Sequence, residues 1–366
     1  MPIVQSTFRS PWWLKSAHLQ TFLGMIARPS IRLDLTINYL ELTDGDFLEL
    51  AWVGHKGPIV LFFSGVEGTA SLSTYARSIL KNIAASGARA VFVHHRGCGE
   101  RPNRLRRSYL AGDTEDLRSA INAVHAKHPD TPLYAVGVSL GANRLLKYLG
   151  EEGDSTPIKG AFAASVPFDF GSTISTLNNG FARVYQYLIL GWLRSRLFTK
   201  LKQHDYSDVI DLTREEILSI RTLREFDQRV TLPISGLANI SVDHYYDTAS
   251  SKPYLQRISI PTVIIQARDD TFMTPDVIPK GHQLSACVRL ELSRHGGHGG
   301  FVYGSLPWKL RYWLDERILD FLEVQEQAEW NLSLAGRRKN SVSHASNSGS
   351  ENDPASVLPF PAQTTL

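Results

Sequence analysis

Short, nearly continuous apolar runs at 59–63, 90–93, 133–138, 161–166 and 262–267 constrain this chain more than any other feature. Alternate side chains of a strand point to opposite faces of its sheet, so a run that is apolar throughout is buried on both. A further run, Val288-Arg-Leu-Glu-Leu292, alternates more. Helical patterns lie between the runs. The stretch 72–85 is amphipathic, and another begins at Asp113, carries Glu115 and Asp116 in its first turn and ends before Pro129. A last helix is expected from near Pro307 to about Gln327. Strands alternating with helices predict an open, mostly parallel, doubly wound α/β sheet that binds ligands at the carboxyl ends of its strands. Upstream, 33–42 and 47–53 flank Thr43-Asp-Gly-Asp46 and read as a hairpin.

One stretch breaks the alternation. Residues 169–258 separate two strand candidates and look mainly helical. Inserted between the sixth and seventh predicted strands, they would lie over the strand ends as a cap. Phe181, Val184, Tyr185, Leu188, Trp192 and Leu193 fall on one helical face, which we expect to be the core of that cap. The main domain, cap included, is expected over 1–330. The segment 335–366 is rich in Ser, Asn and Pro and has little to pack, so it is expected to be disordered.

The chain has 366 residues, 43% hydrophobic and 20% charged, an ordinary globular composition. A net charge of +3 gives no case for a nucleic-acid partner. Cys98 and Cys287 stand far apart and fit no metal spacing; we read them as reduced thiols. The N-terminus lacks the apolar core of a signal peptide, and no run approaches the about 20 apolar residues that span a bilayer. A cytoplasmic location is the expectation.

The chemistry centres on Gly137-Val-Ser-Leu-Gly141, which follows one strand candidate and precedes a helical stretch. That is the G-x-S-x-G nucleophile elbow in its strand–turn–helix context. A sharp turn holds the serine in strained geometry, and small neighbours avoid clashing with it. A serine nucleophile needs a base, and the base an orienting acid. Asp269 and Asp270 follow the strand ending at Ala267, and His295-Gly-Gly-His298 follows the next strand. Loop position favours Asp270 over Asp269, with Asp169 a weaker third candidate. Flanking glycines favour His298 over His295. A zinc reading of the two histidines is weak: they are not on a helix and no third ligand is evident.

An oxyanion hole needs two backbone N–H donors. One is expected from Leu140, directly after Ser139. The other is expected from the loop Ser64-Gly-Val-Glu-Gly68, with Val66 as the candidate. No dinucleotide or P-loop glycine pattern is present, and no cofactor or metal is expected. Arg101, Arg104, Arg106 and Arg107 are read as a solvated loop with local ion pairs.

These residues resemble the YheT-like branch of the α/β-hydrolases, over about 11–325. The resemblance is carried by Ser16-Ala-His-Leu-Gln-Thr21, His95-Arg-Gly-Cys98, Pro102-Asn-Arg104, Ser108-Tyr109 and Gly112-Asp-Thr-Glu-Asp-Leu117. It continues through Gly137-Val-Ser-Leu-Gly-Ala-Asn143, Leu146-Lys-Tyr-Leu-Gly150, Ser250-Ser-Lys-Pro253, Asp269-Asp-Thr-Phe-Met273 and His295-Gly-Gly-His-Gly-Gly-Phe301. It implies an α/β-hydrolase fold and a charge relay of Ser139, Asp270 and His298. Two positions depart from the family: Ser64-Gly65 stands where it usually has His-Gly, and Ala142 follows Gly141. Neither removes a backbone donor, but Ser64 would alter polarity on the substrate side.

The expected activity is hydrolysis of small-molecule carboxylic esters, lipid-like ones included, through an acyl-serine. A hydrophobic acyl group is favoured by the apolar stripe. A thioesterase, lipase or acyltransferase would use the same residues. A non-catalytic binding protein on this scaffold is the alternative of a different class.

Overall fold

The computed structural model describes residues 2–327. Its strands are β1 (Ile3–Gln5), β2 (Thr36–Glu41), β3 (Phe47–Val53), β4 (Ile59–Phe63), β5 (Arg89–Val93), β6 (Leu133–Val138), β7 (Gly160–Ala164), β8 (Thr262–Ala267) and β9 (Val288–Ser293). They form one sheet in the order β1-β9-β8-β7-β6-β4-β5-β3-β2. The hairpin β2–β3 and the pair β3–β5 are antiparallel, and every other pair is parallel. The sheet, its helices and the site lie in the unit that ends at Leu322; of the following unit, residues 323–327 are described and are helical. The tail expected from residue 335 lies outside the described residues.

The central strands are apolar throughout because both faces are covered. Leu61 and Phe63 pack in one core with Leu117, Ile121, Leu145 and Leu149, from α3 (Glu115–Lys127) and α4 (Leu140–Glu152). Val60 and Phe62 pack on the other face with Ile79, Leu80 and Ile83 of α2 (Thr74–Ala85). An N-terminal helix, α1 (Ala17–Ile26), precedes the sheet hairpin. Between β7 and β8 the chain is helical, beginning with α5 (Phe170–Leu177) and α6 (Arg183–Leu201) and ending near the helix Val242–Ala249. This insertion has its own apolar core.

Three sequence expectations change. The strand β1 went unforeseen, so the insertion follows the seventh strand rather than the sixth, although the same two strands flank it. The last helix starts at residue 313, not near Pro307. Lys309 closes a turn on Leu306 (N–H to O, 3.0 Å), and Val302–Tyr303 then pairs antiparallel with Arg311–Tyr312 before the helix begins. The apolar stripe is only in part the buried face of α6: Tyr185 is buried and Leu193 packs against the insertion's core, but the rest of the stripe is displaced from it. Phe181 and Trp192 are 50% and 41% exposed, whereas Tyr185, Gln186, Ile189, Leu190, Leu197 and Lys200 turn inward. Polar residues reach that face because partners await them: Gln186 Oε1 accepts from Leu223 N at 3.0 Å, and Lys200 Nζ donates to the Arg107 carbonyl at 2.8 Å. In the arginine cluster, Arg104 pairs with Glu41, Arg106 with Asp208, and Arg107 with Asp44 and Asp113.

Candidate active site

Strands β4 and β6 are sheet neighbours, with Phe63 opposite Gly137. The chain leaves them toward opposite sides of the sheet: β4 leads to β5, and β6 leads to β7. A crevice opens at such a switch point, and here the loops after β4 and β6 flank it. Ser139 ends the second loop at φ 54°, ψ −122°, a left-handed backbone that a non-glycine residue adopts only under constraint. Its N–H donates to the Ala164 carbonyl at 2.9 Å, and its own carbonyl accepts from Asn143 N at 3.0 Å, which starts α4. A Cβ at Gly137 would stand 2.6 Å from Ala142 Cα, and one at Gly141 would strike the Phe63 carbonyl. Both glycines are therefore required by close backbone approach.

The expected base and acid reach this serine. His298 Nε2 lies 2.8 Å from Ser139 Oγ, and His298 Nδ1 lies 3.0 Å from Asp270 Oδ1. His298 and Asp270 are 7% and 6% exposed, so bulk water competes little for these bonds. Asp270 also accepts from Phe272 N and from Gln266 Nε2, each at 2.9 Å. Gln266 is held in turn by Val166 N, which donates to its Oε1 at 2.9 Å. The His298 ring stacks on Phe272, with centroids 3.8 Å apart and planes 4° apart. The His298 N–H donates to Thr21 Oγ1 at 2.9 Å, so α1 anchors the histidine loop.

The other candidates make contacts elsewhere. His295 Nδ1 lies 3.2 Å from Asp269 Oδ2, and Gly297 N donates to Asp269 Oδ1 at 3.0 Å. Asp169 caps α5 by accepting from Ser172 N at 2.9 Å. Among the described residues no cluster of His, Cys, Asp or Glu has the makings of a metal site.

The loop after β4 presses on Ser139: a Cβ at Gly65 would lie 3.4 Å from Ser139 Cβ. Three of its N–H groups are spent. Gly65 N donates to Tyr75 Oη at 3.0 Å, Glu67 N to Tyr109 Oη at 3.3 Å, and Gly68 N to the Gly65 carbonyl at 3.1 Å. Val66 N–H has no protein acceptor among the described residues. Leu140 N–H, at the first position of α4, is likewise free of an intrahelical acceptor. Ser64 does not line the cavity beside Ser139, contrary to the sequence expectation. It is fully buried, and its hydroxyl donates to the Gly65 carbonyl at 3.3 Å.

A cavity of about 140 Å³ opens onto Ser139. Val66, Leu140 and Phe272 form its near wall, and Phe170, Leu197 and Phe226 of the insertion line its reach. Two ionisable groups border it, Lys200 buried and Asp227 half-buried. Burial pushes the Asp227 carboxyl up to about 6, and burial pushes the Lys200 amine down to about 8. Glu67, on the loop after β4 at φ 55°, accepts from Arg196 Nε of α6 at 2.9 Å.

Fold and site thus define a class before any comparison: a serine set beneath a crevice of an α/β sheet, bonded to a histidine that an aspartate holds. A family model described as "alpha/beta hydrolase fold" matches residues 58–305, so the chain belongs to the α/β-hydrolase family. Its branch is the YheT-like one. The chain is 37% identical over 320 residues to "Putative esterase YheT" of Escherichia coli (strain K12), spanning 86% of this chain and 92% of that protein. It is 28% identical over 348 residues to "Phospholipase ABHD3" of Mus musculus, spanning 91% and 82%. Among solved structures, the Pyrococcus furiosus esterase Pf2001 shares the fold with a TM-score of 0.51 at 14% identity, over 88% of this chain and 97% of that one.

Proposed function

We propose that the protein hydrolyses carboxylic esters through an acyl-serine intermediate. The reading rests on one observation above all: His298 bridges Ser139 Oγ at 2.8 Å and Asp270 Oδ1 at 3.0 Å. His298 Nε2 takes the proton of Ser139 as Oγ bonds to the acyl carbon. Asp270 accepts from Nδ1–H, which fixes the tautomer and stabilises the imidazolium. The Leu140 and Val66 N–H groups receive the oxyanion as the carbonyl electrons move to oxygen. Collapse breaks the bond to the leaving alcohol, which takes the proton from His298. Water then repeats the sequence against the acyl-serine, releasing the acid and restoring the serine.

The insertion serves as a cap over the crevice, and its apolar lining suits a hydrophobic acyl chain. Relatives named as an esterase and a phospholipase support including lipid-like esters in this reading. Among the described residues no helix is long and apolar enough to cross a membrane. Ser139→Ala tests the reading: hydrolysis of short p-nitrophenyl esters and labelling by a fluorophosphonate should both vanish. An alanine variant that hydrolyses at the wild-type rate would overturn it.

A further inference from the structure

His95 stands outside the Ser139–His298–Asp270 chain, yet it is buried beneath the loop that carries the proposed Val66 donor. Its Nε2 lies 3.1 Å from both the Ser64 and the Gly65 carbonyl oxygens. Arg144 Nη1 lies 2.6 Å from its Nδ1. A guanidinium only donates, so Nδ1 must offer its lone pair and the ring proton must sit on Nε2. Burial first, and then the Arg144 charge, push the imidazole down to about 3, so it stays neutral and keeps this tautomer. Tyr109 covers one face of the ring, with centroids 4.5 Å apart and planes at 23°.

The consequence follows from peptide geometry. A trans peptide is planar, with its C=O and N–H pointing in opposite directions. The Gly65 carbonyl and the Val66 N–H belong to one peptide, and no cis bond occurs among the described residues. Whatever grips the Gly65 oxygen therefore aims the Val66 hydrogen the other way. Three donors grip it: Gly68 N at 3.1 Å, His95 Nε2 at 3.1 Å and the Ser64 hydroxyl at 3.3 Å. Gly68 and Ser64 belong to the loop itself and would move with it. His95 alone of the three refers the peptide to the body of the fold, through Arg144 on α4, the helix that begins directly after Ser139. Hydrogen bonds to the carbonyl also polarise the peptide and make its N–H a stronger donor.

We infer that His95, held by Arg144, is a positioning residue that aims the Val66 N–H at the developing oxyanion. This rests on the ester-hydrolase reading and deepens it. His95 touches no reacting atom, so its loss should act on the transition state and leave ground-state binding alone.

The experiment compares His95→Gln, His95→Asn and His95→Leu on a short p-nitrophenyl ester, with a trifluoromethyl ketone as the oxyanion-forming inhibitor. Glutamine places an amide N–H near the Nε2 position, asparagine stops short of it, and leucine has no donor. Losing one oxyanion donor costs about 100- to 1,000-fold in kcat, and misaiming one should cost about 10- to 100-fold. The expected result is that kcat falls by that factor in the leucine and asparagine variants. KM should stay within about twofold. The inhibitor constant should rise in step with the loss of kcat, and glutamine should recover most of the rate. Should the leucine variant fail to fold, glutamine against asparagine carries the same test, with unfolding midpoints as the control. The inference is overturned if leucine or asparagine keeps the wild-type kcat, if the inhibitor constant does not move, or if glutamine does no better than asparagine. Ser139→Ala separates the two claims: a variant that still turns over refutes the acyl-serine reading at Ser139, whatever the His95 variants do.

Discussion

Asp227 should make the folded protein less stable as pH rises through 6, and Asp227→Asn should remove that loss. The residue sits on the short π-helical turn Asp227–Thr231 beside the cavity, and its Oδ2 accepts from the Tyr246 hydroxyl at 2.8 Å. No ion pair with a cation accompanies it among the described residues, so burial dominates and raises its pKa from 3.8 to about 6. A folded-state pKa above the unfolded one means that the folded chain holds the proton more tightly. The contribution is therefore fully present below pH 3.8 and is lost as pH rises through 6. At about 1.36 kcal/mol per unit, the deficit comes to about 1 kcal/mol at pH 4.5 and about 3 kcal/mol at pH 8. Asparagine keeps an oxygen for Tyr246 and carries no charge. Urea unfolding of both proteins at pH 4.5, 6 and 8 is the assay. The variant's advantage should grow by about 2 kcal/mol from pH 4.5 to pH 8, other titrations cancelling between the two chains. A stability difference that stays constant across that range would refute the argument.

Asp270→Asn replaces an acceptor that serves His298, Phe272 N and Gln266 Nε2 with a group that has one oxygen and one amine. The amine must face a donor whichever way it turns, and the His298 tautomer is lost with it. We expect kcat/KM on a p-nitrophenyl ester to fall by about 10³- to 10⁴-fold. Asp315→Ala tests the scaffold instead. The buried Asp315 carboxylate accepts from Arg28 at 2.7 Å, Ser78 at 2.5 Å and Asn82 at 3.2 Å. Its removal leaves a buried guanidinium unpaired, so urea unfolding should show a loss of about 3–5 kcal/mol.

The parallel sheet was legible because strands apolar at every position have few other uses. The first strand was not. Ile3–Gln5 is too short for a pattern, and only its parallel register with β9 makes it a strand. The stripe on α6 matches the buried face only at Tyr185 and Leu193, because periodicity shows which residues share a face, not which face docks. Gln186 and Lys200 are buried by acceptors and donors that lie far along the chain. The site divides in the same way. Ser139, Asp270 and His298 each lie on the loop or turn that follows a strand, so strand assignment located them. Gln266 and Phe272 bond Asp270 from within four residues, but Thr21 supports His298 from across the fold. Thr21 meets His298 over a separation of 277 residues, and no local spacing encodes that contact. The blocks Ser16–Thr21 and His95–Cys98 marked the family resemblance, but their physical role appeared only with the geometry.

The two proposed oxyanion donors come from different loops, and an oxyanion hole works only if their separation is fixed before substrate arrives. The fold meets this by referring both to α4. Leu140 is the first residue of that helix, and Arg144 lies one turn further on. From Arg144 the reference passes to His95 and then to the Gly65–Val66 peptide. The same loop has a second tether of a different kind: Glu67, one residue past Val66, pairs with Arg196 on α6 of the insertion. Tyr109 joins the two tethers, stacking on the His95 ring and donating its hydroxyl to Glu67, so the loop is braced from α4 and from the insertion at once.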